Sequence, residues 1–227
     1  MSDASDRYPV EAPGWAAIDA AAARMYPGQV PHQFTSQTAY DLESRHPLPA
    51  IGVYEALAPD HWHYVTYGLS ELFEKTSPRP DLSGFGFELT FRLPRTEEKP
   101  PTWALQLLQA IGHYVLSGHG DLDTGHLVDL GGPLRPTAEP CTLEGVMCIP
   151  DPTLPKIQTP HGSVLFLQLF GLTRAELDVM QDWELERKIG VVRELAPLGI
   201  TEPERLAWPD DPRRVPVFRR YALKVLL

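Results

Sequence analysis

The chain has 227 residues, 43% of them hydrophobic and 22% charged, with a net charge of −10 and a pI near 5.2. That composition is close to an ordinary globular protein, so disorder is not the default, and the acidic surface disfavours a phosphate backbone as a direct partner. Two cysteines, Cys141 and Cys148, cannot make a disulfide scaffold and fit a reducing compartment. The acidic start Met1–Asp6 lacks the pattern of a signal peptide, and no apolar run reaches the ~20 residues of a membrane span, so a cytoplasmic protein without membrane or nucleic-acid partners is expected.

Pro13-Gly14 precede an Ala-rich stretch, Trp15 to Tyr26, that predicts a helix with Trp15, Ile18, Ala22 and Met25 toward the core. Residues 1–12 are expected to be a flexible lead-in, and residues 28–50 carry no clear element. Ile51–Leu57 and His61–Tyr67 predict strands separated by a turn at Pro59-Asp60, and Leu69–Phe73 a short helical turn. Ser83–Leu93 has the cleanest alternation. Phe85, Phe87, Leu89, Phe91 and Leu93 share a core face, while Gly84, Gly86, Glu88, Thr90 and Arg92 share the other. Glu88 and Arg92 are expected there as a surface ion pair.

A helix begins at Pro101 or Thr102, with Trp103, Leu107, Leu108, Ile111, Tyr114 and Val115 as its apolar stripe, and stops at Gly118 and Gly120. Further strands are predicted at Leu127-Val128, Gly145–Ile149 and Val164–Phe170. Thr173 with Glu176 three residues on forms a capping box that opens a helix to Trp183; Glu184–Leu195 makes another. In the final segment Val215, Val217, Tyr221, Leu223, Val225 and Leu227 share one parity, which predicts an edge strand. Strands interleaved irregularly with helices define an α/β (α+β) fold, a mixed β-sheet flanked by helices in one domain over residues 13–227.

Catalytic patterns are sparse. His61-x-His63 places two imidazoles on one strand face, a spacing found in metal sites, but no third ligand follows at a recognisable distance. Asp121-x-Asp123-x-Gly125 opens like a calcium loop and then fails, with His126 where glycine is needed, leaving a solvated acidic turn. Cys148 sits in a strand-like run and reads as core. There is no nucleophile elbow, phosphate loop or dinucleotide fingerprint.

Two longer segments, Asp60-His61-Trp62-His63-Tyr64-Val65-Thr66-Tyr67-Gly68-Leu69-Ser70-Glu71-Leu72 and Ser83 to Leu93 followed by Pro100-Pro101-Thr102-Trp103, resemble the N-terminal domain of the suppressor-of-fused family. Shorter matches at Arg24–Pro27 and Gln158–Gln168 extend the likeness over roughly residues 13 to 218. The resemblance implies an α/β domain that binds proteins, needs no cofactor or metal, and is not an enzyme. Animal members restrain zinc-finger transcription factors and clamp a peptide as an added strand between this domain and a second one. The chain ends where that second domain would begin, as in short bacterial members, whose genomic settings point to immunity proteins that neutralise toxins.

The family's partner-binding tyrosine matches Tyr114, which also fits the apolar stripe of its helix. The family's aspartate position is His126, so a contact to a basic group there does not carry over. Together with Glu88 and Arg92 these make four candidate partner-binding residues. The competing expectations are a metal-dependent hydrolase built on His61, His63 and Glu88, and a structural subunit of a larger assembly.

Overall fold

The computed structural model describes residues 11–223. In chain order the elements are α1 (Pro13–Met25), β1 (His32–Thr35), β2 (Ala50–Leu57), β3 (Asp60–Tyr67), β4 (Leu82–Pro94), α2 (Thr102–Leu116), β5 (Leu127–Asp129), β6 (Leu143–Pro150), β7 (Ile157–Thr159), β8 (Gly162–Thr173), α3 (Arg174–Met180), α4 (Leu185–Leu195) and α5 (Val215–Ala222). The strands form one sheet in the order β1-β2-β3-β4-β8-β6-β5, with β7 beside the start of β8. All pairings are antiparallel except β4–β8, so the sheet is mixed and flanked by helices, as expected.

The alternation of β4 decides the layering. Phe87, Leu89, Phe91 and Leu93 join Trp62 and Tyr64 of β3 and Leu167 and Leu169 of β8 under α2, whose Trp103, Leu107, Leu108, Ile111 and Val115 complete that core. On the opposite face α1 packs Ile18, Ala21 and Ala22 against Val65, Tyr67, Val164 and Phe166. Farther along the same face, Leu177, Met180, Ile189 and Val192 of α3 and α4 cover Met147, Phe170 and Leu172, joined by Phe218 of α5. The parity of β8 makes the division clear: Val164 and Phe166 belong to the α1 cluster, Phe170 and Leu172 to the α3–α5 cluster, and the buried polar Gln168 lies between them.

The predicted capping box is present: the Thr173 hydroxyl accepts from the Glu176 N–H, and the Glu176 carboxylate accepts from the Thr173 N–H. Several expectations change. The segment 28–50 contains β1. Leu69–Phe73 is irregular, because Glu88 draws its N–H groups inward. Met25 is exposed. The C-terminal edge strand is instead α5, where Pro216 in the first turn suits a helix and Phe218 is buried against Trp183 and Trp208; Val225 and Leu227 of that expectation lie outside the described residues.

Gly162 starts β8 at φ +116, and a Cβ there would lie 2.6 Å from the Leu82 carbonyl carbon. Both the left-handed backbone and the contact with β4 require glycine. Gly162→Ala is expected to lower the unfolding free energy by about 2–3 kcal/mol, read from urea denaturation; an unchanged midpoint would show that the β4–β8 junction yields.

Candidate functional site

The face of β4 expected to carry a surface ion pair is closed. Glu88 is 0% exposed and Arg92 1%, and they do not pair with each other. The surface ion pair is therefore replaced by two separate interior networks.

Glu88 accepts from the backbone N–H groups of Gly68 (2.9 Å) and Ser70 (2.9 Å) and from the hydroxyls of Ser70 (2.7 Å) and Thr66 (2.7 Å). Burial pushes its carboxyl above the usual range, opposed by the hydrogen bonds from Ser70, Thr66 and Gly68. Its role is to stitch the 66–70 segment to β4.

Arg92 donates to Asp151 (2.8 Å) and to the Leu198 carbonyl (2.8 Å). Asp151 also accepts from Thr90 and from the N–H groups of Thr153 and Leu154, each at 2.8 Å. His63 completes the set. Its Nε2 lies 3.0 Å from Asp151 and its Nδ1 2.8 Å from the Tyr26 hydroxyl. A carboxylate only accepts, so Nε2–H donates to Asp151 and Nδ1 accepts from Tyr26, the neutral tautomer. Burial pushes His63 down to about 4, with Arg92 acting in the same direction. Burial opposes ionisation of Asp151, yet His63, Arg92 and the Leu154 N–H outweigh it and hold that carboxyl well below the usual range. With Gln168 bonded to the carbonyls of Leu198 and Gly199, these residues form a polar belt across the sheet between the two apolar clusters.

His61 lies beside His63 on the strand, but its Nδ1 is 2.6 Å from the Pro59 carbonyl. Among the described residues no three His, Cys, Asp or Glu side chains converge as a metal-binding group. Nothing thus gathers His61, His63 and Glu88 into the centre a hydrolase would need. Cys148 is core, its thiol pushed up to about 12 by burial, far from the range of a reactive thiolate.

The other two candidates, Tyr114 and His126, meet at an opening on the far edge of the sheet. Tyr114 does not join the α2 core; it is 40% exposed and stacks on His119. A groove of about 680 Å³ runs along β5, lined by Ile111 and Tyr114 of α2, Asp121, His126, and Gln181 and Lys188 beyond α3. The turn entering it is held by the Asp123 N–H donating to His126 Nδ1 (3.1 Å).

The backbone of β5 defines what the groove offers. The Cys148 N–H donates to the His126 carbonyl, and the Leu130 N–H to the Glu144 carbonyl. In an antiparallel ladder hydrogen-bonded residues alternate, so His126, Val128 and Leu130 face β6, while the N–H and C=O groups of Leu127 and Asp129 point outward into the groove. No local pattern marks this edge, because strand order is set by contacts far apart in the chain.

No described helix is long and apolar enough to cross a membrane. Together the mixed sheet, its helical layers and an open strand edge beside an exposed tyrosine define an α/β scaffold. The chain belongs to the suppressor-of-fused family: the family model for suppressor of fused protein (SUFU) matches residues 46–206. It is 35% identical over 184 residues to the human suppressor of fused homolog and 34% identical to the mouse one, covering 75% of this chain and 38% of each relative. The chain thus spans well under half the length of those relatives.

Among solved structures it is similar to a chain of the Sufu–Fu complex (TM-score 0.81, 29% identity, 94% of this chain and 97% of that one) and to Drosophila Suppressor of Fused (TM-score 0.80, 29% identity, 95% and 54%). A putative SUFU homolog from Neisseria gonorrhoeae shares the fold (TM-score 0.59, 14% identity, 86% and 96%).

Proposed function

We propose that this chain is a non-catalytic protein-binding module that docks an extended segment of a partner protein on the outer edge of β5. The observation that carries the reading is the pair of outward-facing backbone groups at Leu127 and Asp129, set beside the exposed Tyr114 ring and His126 in one groove. Strand addition supplies affinity through main-chain hydrogen bonds, and adjacent pockets supply selectivity. An exposed aromatic in such a groove is the usual form of an anchoring contact. Glu88 and Arg92 then act from the interior, by holding the platform rigid. That a similar structure is a complex with the protein Fu supports a protein as the ligand. We further infer a cytoplasmic protein that sequesters its partner as an inhibitor or immunity protein does, a toxin being the kind of partner so restrained. The charge of −10 argues against nucleic acid.

Affinity capture with neighbouring gene products as bait, followed by titration of the captured partner, tests this. Asp129→Pro removes the outward-facing N–H of the edge together with the carboxylate that binds Arg174 and the Gly131 N–H, and leaves the bonds to β6 intact; Asp129→Ala removes the same carboxylate but keeps the N–H. Asp129→Pro is expected to weaken binding at least tenfold, whereas Asp129→Ala changes it little. Equal binding by both variants would contradict edge docking.

A further inference from the structure

The two sides of the β5 groove differ in chemistry. Leu127 packs with the α3–α5 cluster and Val128 with the α2 cluster, so successive residues of β5 face opposite layers. A strand added to that edge alternates in the same way, one side chain toward α2 and the next toward α4. The α2 side presents Ile111, Ala110 and the Tyr114 ring. The α4 side presents Gln181, Lys188 and the exposed Leu185, which lies against Gly125.

Lys188 is half-buried, and among the described residues its ammonium forms no ion pair. Two carboxylates near it, Asp129 and Asp123, are engaged otherwise. Asp129 accepts two bonds from Arg174, and Asp123 accepts from the Thr124 N–H. Asp121 belongs to the loop after α2 and makes no pair with Lys188. A half-buried ammonium has lost part of its hydration and gains most from a carboxylate brought to it.

We propose that the groove selects an extended segment with an acidic side chain facing α4, paired with Lys188, and an apolar or aromatic side chain facing α2 against Tyr114. Because opposite faces alternate, the acid and the apolar residue are separated by an odd number of positions. This rests on β5-edge docking and adds the chemistry of the occupant. It also sets a local attraction against the overall negative charge of the chain, so the acid is needed at one position and is disfavoured elsewhere in the segment.

The test is selection from a random peptide library displayed on phage, run on the wild-type chain, Lys188→Glu and Asp129→Pro. The wild type is expected to enrich peptides with Asp or Glu at odd spacing from an aliphatic or aromatic residue. Lys188→Glu should bind those peptides about tenfold more weakly and enrich Lys or Arg at the same position. Peptides that bind the wild type, are lost with Asp129→Pro and show no acidic preference would overturn the Lys188 assignment while leaving edge docking intact. Enriched peptides that bind Asp129→Pro as well as the wild type would overturn both.

Discussion

Asp151→Ala is expected to lower the unfolding free energy by about 3–5 kcal/mol, measured by urea denaturation at neutral pH. The substitution leaves Arg92, fully buried, with a guanidinium charge no carboxylate faces, and it removes the acceptor for His63, Thr90 and the N–H groups of Thr153 and Leu154. Unpaired buried charge is the larger cost; each orphaned donor adds to it. The double variant Asp151→Ala/Arg92→Met removes the charge as well and should recover part of the loss. A loss under about 1 kcal/mol for Asp151→Ala alone would mean that water reaches the belt and that the layers are not closed over it.

The same belt dictates an acid limit. His63 has a folded value near 4 against 6.5 for the free side chain. Between those values the unfolded chain takes up a proton that the folded chain refuses, so stability falls as pH drops from about 6.5 to about 4 and is indifferent to this group below that. The interval corresponds to about 3 kcal/mol. His61, also lowered by burial, acts in the same sense, whereas Glu88, raised by burial, acts oppositely. The informative quantity is therefore the difference between the wild type and His63→Gln, whose amide can still donate to Asp151 without titrating. That difference should shrink by about 3 kcal/mol between pH 7 and pH 4. Parallel stability curves for the two proteins across that range would show that His63 titrates normally and is not sealed beneath α1.

These expectations also show which parts of the molecule local pattern can reach. The Phe85–Leu93 alternation, the α2 stripe and the Thr173/Glu176 capping box are written in residues one to four apart, and each forms the element that spacing dictates. The second face of β4 is different. Glu88 and Arg92 look like solvent-facing charges because their partners are remote: Asp151 lies 59 positions from Arg92, and the Leu198 carbonyl 106. Asp151 itself follows Pro150 and has the local character of an ordinary turn aspartate. At the C-terminus, Val215, Val217 and Tyr221 share strand parity, but Val215, Phe218 and Tyr221 also fit helical spacing, and Pro216 and the buried Phe218 decide for the helix. Tyr114 and His126 stand out in the sequence only through the family resemblance. Their meeting on an open edge depends on strand order, which no local pattern contains.

The most direct measurement for edge docking is amide hydrogen exchange at single-residue resolution, with and without a captured partner. Backbone amides of Leu127 and Asp129 should exchange freely in the isolated chain and become strongly protected in the complex, with Tyr114 and Lys188 shifting in the accompanying side-chain spectra. Protection that spares those two amides and falls instead on the β1 edge, or on helix surfaces alone, would contradict the account.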